Sequence, residues 1–104
     1  MENSSYEKIR ERFPDISKST SYELELIASE IIQRVIEETD VFEFKEMLEN
    51  LKHDMGINKY WEVIRRAVSN QRPFKVDNDN IKSIMGILFN EDYTLNHTAN
   101  YHQK

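Results

Sequence analysis

The chain has 104 residues, the length of one domain, with 19 Asp and Glu against 14 Lys and Arg, a net charge of −5. It has no cysteine, which excludes disulfides, thiolate metal sites and thiol nucleophiles. With 32% charged residues, a mean hydropathy of −0.74 and apolar runs no longer than Ile87-Leu88-Phe89, it predicts a soluble, cytoplasmic protein without signal peptide or membrane span.

Helix caps rather than Gly or Pro punctuate the chain, which has only two of each. Ser4 precedes Glu7 by three residues, Thr20 precedes Glu23, and Asp40 precedes Glu43. At this spacing the first side chain accepts from a free amide of the first helical turn, and the acid reaches back to the cap amide. A first helix is expected from Ser5 to about Arg12, with Tyr6, Ile9 and Phe13 on one side and Pro14 closing it. The second runs from Ser21 to Glu38 on a wide apolar stripe of Leu24, Ile27, Ala28, Ile31 and Val35. The third spans Val41 to Met55, with Phe44, Met47, Leu48 and Leu51 inward. Gly56 is read as the left-handed residue of a Schellman-type stop, with Ile57 packing back on the helix.

The fourth helix covers Asn58 to about Asn70 and buries Tyr60, Ile64, Ala67 and Val68. Residues 71–80, broken by Pro73 and Asp77-Asn78-Asp79-Asn80, read as a loop. A fifth helix is expected over Ile81 to about Asn90, weakened by Gly86. The pattern therefore predicts an all-α, compact single-domain bundle of about five helices over residues 1–92, with a frayed, flexible tail over 93–104. Its centre should hold Leu24, Ile27, Ile31, Val35, Leu48, Leu51, Ile64 and Ile84.

Catalysis and metal binding find little support in this sequence. His53, His97 and His102 make no helical i,i+4 pair. The Asp77-Asn78-Asp79 run has Lys82 and Leu88 where a calcium loop needs Gly and a bidentate Glu. No glycine-rich phosphate loop exists. No cofactor or metal is expected, and the chain reads as a non-enzyme.

The charge distribution is more informative. From Glu23 to Asp54 ten Asp or Glu stand against three Lys or Arg, a net of −7. From Met55 to Lys75 five cations stand against Glu62 alone, a net of +4. Two candidate surfaces follow. One is an acidic face with Glu30, Glu37 and Glu46; the other is a basic edge with Lys59, Arg65, Arg66, Arg72 and Lys75, in which Trp61 lies one turn before Arg65. Leu51 to Ala67 reads as helix, glycine turn and helix, and in outline resembles the helix-turn-helix DNA-binding proteins. That resemblance implies Gly56 as the turn glycine and the fourth helix in the major groove. Lys52 departs from it where that family packs a small residue, and Glu62 where it has an apolar one. The run Gly56-Ile57, Ile64-Arg65 and Ala67 also resembles ribbon-helix-helix antitoxins, which implies a strand at Val41 to Lys45. The first expectation for function is a non-enzymatic protein-binding module, of the kind used as inhibitors or immunity proteins by phages and mobile elements. It would engage a larger basic protein through the acidic face. The alternative is a DNA-binding regulator or antitoxin that uses the helix over residues 58–70.

Overall fold

The computed structural model describes residues 4–37, 40–70 and 79–102; the side chains of 80 and 98–102 lie outside that description. The order is α1 (Ser5–Arg12), a 3₁₀ turn (Ile16–Lys18), α2 (Ser21–Glu37), α3 (Val41–Met55), α4 (Ile57–Asn70) and α5 (Asp79–His102). No strand occurs among the described residues, so Val41 to Lys45 is helical and the ribbon expected from the antitoxin likeness is overturned.

The caps act at all three expected positions, each differently. Thr20 and Glu23 form the reciprocal box: Glu23 N–H donates to Thr20 Oγ1 at 3.2 Å and Thr20 N–H to Glu23 Oε1 at 3.1 Å. Ser4 Oγ accepts from Glu7 N–H at 3.1 Å. Asp40 Oδ1 accepts from the amides of Phe42 and Glu43. Glu43 does not turn back to its own cap; its carboxylate accepts Ser5 N–H at 3.1 Å, tying the start of α1 to the start of α3.

Helix α4 is the centre of the bundle, packed on α2, α3 and α5. Tyr60, Val63, Ile64 and Ala67 on its inner side are all fully buried. All eight residues expected at the hydrophobic centre are buried, joined by Ile9, Phe13 and Ile16 from the N-terminal segment. That segment is pinned by polar contacts as well. Tyr6 Oη donates to Asp54 Oδ2, Arg10 reaches the same oxygen at 3.0 Å, and Arg10 also donates to the Pro14 carbonyl. The hydrogen bond from Tyr6, followed by the one from His53, holds the Asp54 carboxyl below its ordinary range.

Two expectations need correction. Gly56 has a positive φ of 84°, but its ψ of 154° is not left-handed helical, so the stop is not a Schellman motif, and Ile57 is exposed instead of packed back. Gly56 serves both helices: its N–H donates to the Lys52 carbonyl at 3.1 Å and its carbonyl accepts from Tyr60 N–H at 3.0 Å. Helix α5, expected to end near Asn90, continues to His102. Leu95 is buried at 7% exposure, two turns beyond Leu88. The pattern misled because Glu91 occupies the inward position between them. There its carboxylate accepts Tyr60 Oη at 3.0 Å and pairs with Lys52 at 3.3 Å. A polar residue where the stripe called for an apolar one reads as an end; here it is an internal hydrogen bond.

Candidate functional site

Folding brings the two oppositely charged segments together. Arg66 on α4 donates to Glu25 on α2 at 2.6 Å and to Glu62, one turn away on its own helix, at 3.2 Å. Its second nitrogen also reaches Ser21 Oγ, and Asn70 donates to the other Glu25 oxygen. Lys59 donates to the Ser17 carbonyl at 2.6 Å. Lys52 lies 5.5 Å from the Tyr60 ring centre and bridges Glu49 and Glu91. Burial pushes the Lys52 pKa down, but the Glu91 and Glu49 carboxylates outweigh it and the net direction is up. Arg66 and Lys59 of the basic edge are thus engaged within the fold.

Arg65 differs. It is exposed, has no acidic partner among the described residues, and lays its guanidinium 5.1 Å from the centre of the Trp61 ring. Trp61 is half-buried, and its Nε1 finds no acceptor among the described residues. Arg72 and Lys75 lie outside the described residues.

The acidic face is also partly consumed. Glu30 pairs with Arg12 of α1, and Glu37 with Arg34 at 2.7 Å and with Gln33. The hydrogen bond from Gln33, then the charge of Arg34, hold the Glu37 carboxyl below its ordinary range. Glu46 is exposed and has no ion-pair partner among the described residues. The three acids do not form one site: Glu30 and Glu37 stay on α2, and Glu46 stands on the outer side of α3.

What sequence reading missed is the company Glu46 keeps. Phe42, Glu46, Glu49 and His53 follow one another at spacings of three and four along α3, opposite the buried Phe44, Met47 and Leu51. Phe42 is 79% exposed, the most exposed large apolar side chain described. The signal was present: two residues before Phe44, Phe42 falls about 200° round the helix and cannot share its face. Beside this stripe an open groove of about 710 Å³ runs between α3 and α5, lined by Val41, Lys45 and Leu48 on one wall and Gly86, Ile87 and Asn90 on the other. Its lining mixes one cation, the acids Glu49 and Glu91, and short apolar side chains. No cluster of three potential metal ligands exists among the described residues, and none of their helices is long and apolar enough to cross a membrane.

The helix-turn-helix outline fares poorly in three dimensions. That motif joins its helices through a turn of about three or four residues, whereas Gly56 alone separates α3 from α4. Comparison of the chain with protein-family models, with curated proteins and with solved structures finds no match in any of the three.

Proposed function

We propose that this all-α protein is a small non-enzymatic protein-binding module that engages a basic partner through the outer face of α3. In that role it acts by occupancy, as inhibitors and immunity-type proteins do. Phe42 carries the reading. A phenylalanine 79% exposed contributes nothing to the core, and burying it in a partner's pocket contributes about 1.5–3 kcal/mol. The flanking acids Glu46 and Glu49 supply attraction to a basic surface, which acts mainly on the rate of association. Aromatic anchors at the centre of a charged rim are the usual carriers of binding energy between proteins.

DNA binding by α4 is the second reading, and Arg65, outward and without an acid, favours it. Against it, Arg66 and Lys59 are engaged within the fold, and phosphate binding needs several cations facing the duplex.

Affinity capture from native host lysate, with mass spectrometry and nucleic-acid sequencing of the eluate, separates the two. The expected result is a protein retained in stoichiometric amount by the wild type and lost by Phe42→Ala at an unchanged melting midpoint. Submicromolar, salt-sensitive binding of a specific duplex, lost by Arg65→Ala and indifferent to Phe42→Ala, would overturn the proposal.

A further inference from the structure

Helix α5 has an outer side that its role in the core leaves unexplained. Gly86, Phe89, Tyr93 and His97 follow at spacings of three and four, opposite the buried Ile84, Leu88 and Leu95. Phe89 is 40% exposed and Tyr93 69%, and the Tyr93 and His97 rings stack with centroids 6.0 Å apart. From Ser83 to His97 the only residues charged at neutral pH are Glu91 and Asp92, and both are half-buried. Every exposed residue of that span is therefore uncharged, in a chain with 32% charged residues. Charge depletion with aromatic enrichment is the composition of an interface centre.

We infer that this face pairs with the same face of a second copy of the chain, the two α5 helices antiparallel about a two-fold axis near Phe89 and Asn90. Charge selects this occupant. Each copy carries a net −5, and a two-fold contact sets the groups near its axis against their own duplicates. A charged face would repel itself there, and from Ser83 to His97 this face has no charge to repel; the exposed Asp79 and Lys82 on the same side lie toward the start of the helix, away from the axis.

The register follows from shape. Gly86 and Tyr93 lie two turns apart and equidistant from the proposed axis, so each Tyr93 ring comes to rest on the partner copy's Gly86, twice over. A Cβ built on Gly86 meets no atom within 4 Å, so the seat is open. Glycine permits the close backbone approach that such a crossing requires. The 24 residues of α5 extend about 36 Å. A contact confined to one side of such a helix falls below the roughly 800 Å² per partner of a standard stable interface, so the pairing is weak and concentration-dependent. It rests on other residues than the α3 reading, although Gly86 and Asn90 also line the groove beside the Phe42 stripe.

Sedimentation equilibrium of the full chain from roughly 10 μM to roughly 1 mM tests the pairing. The wild type should pass from monomer to dimer over that range. Tyr93→Lys and Gly86→Glu, both on the exposed side of α5, should keep the helical circular dichroism spectrum and each weaken self-association by roughly tenfold or more. An equimolar mixture of the two should associate again, because the antiparallel register sets the new lysine of one copy against the new glutamate of the other and leaves one native Tyr93–Gly86 contact. A wild type that stays monomeric throughout would overturn the inference. So would variants that associate like the wild type, or a mixture that does not recover.

Discussion

Helices α4 and α5 make opposite use of their polar residues. Helix α4 looks functional in sequence because it gathers cations, yet Arg66 and Lys59 are held by α2 and by the turn before it. Helix α5 looks inert, yet from Ser83 to His97 its outer side combines two exposed aromatic rings, an open glycine and no charge. A run of like charge in a sequence is thus ambiguous until its counter-charges are located. Here Glu25 of the acidic segment pairs with Arg66 across the α2–α4 seam, and Lys59 is held by the Ser17 carbonyl. An uncharged stripe on an exposed helix face has no such internal explanation.

The largest expected effect tests whether the two helices divide in this way. Ile64 on α4 is fully buried, so Ile64→Ala should lower stability by ~2–5 kcal/mol through lost transfer energy and the cavity left behind. Phe89→Ala on α5 removes a larger side chain from a 40% exposed position and should cost ~1 kcal/mol or less. Urea midpoints measured below roughly 10 μM, where the inferred pairing leaves the chain monomeric, give both values. Equal losses would show that Phe89 belongs to the core and is not free for a partner.

The far half of α5 comes next. Leu95→Ala should cost ~2 kcal/mol, toward the low end for a buried leucine because the site is near a helix end and can relax. A loss within ~0.5 kcal/mol, the usual range for surface positions, would instead support the expectation of an expendable tail.

The fold was legible in the sequence wherever one local rule governed. Capping side chains fixed the starts of α1, α2 and α3 to the residue, and 3.6-residue periodicity identified all eight central core positions. The end of the fifth helix was misread because the bond from Tyr60 to Glu91 joins residues 31 positions apart, and no local pattern reports it. The candidate surfaces were less legible for a similar reason. Whether Arg66 and Glu30 face a partner or another helix of the same fold depends on long-range pairing, and Phe42 and Tyr93 stand out only once the buried side of each helix is known.

That same Tyr60–Glu91 bond gives a pH dependence. Burial, and then the Glu91 carboxylate, raise the Tyr60 phenol above its ordinary 10.0. A pKa raised by folding means that the native state keeps the proton where the unfolded chain loses it. The contribution is therefore fully present below pH 10 and is lost as pH rises beyond it. The urea midpoint of the wild type should fall on passing from pH 9 to pH 11, and Tyr60→Phe should flatten the fall. An equal fall in both proteins would assign the alkaline loss to other tyrosines or lysines.

The smallest effect sharpens the comparison at the level of two glycines. Gly56 has a φ of 84° with an extended ψ, a conformation that residues with a Cβ adopt only at a cost of order 1–3 kcal/mol. Gly56→Ala should be destabilising although the added methyl would meet open space. Gly86 meets equally open space but lies within a helix, where glycine is about 0.5–1 kcal/mol worse than alanine. Gly86→Ala should therefore raise the melting temperature of the monomer, on the order of 5 °C for a domain of this size. Fold stability explains the first glycine and argues against the second, and the pairing inferred for α5 supplies a reason for glycine at 86. A destabilising Gly86→Ala would place that reason back inside the fold.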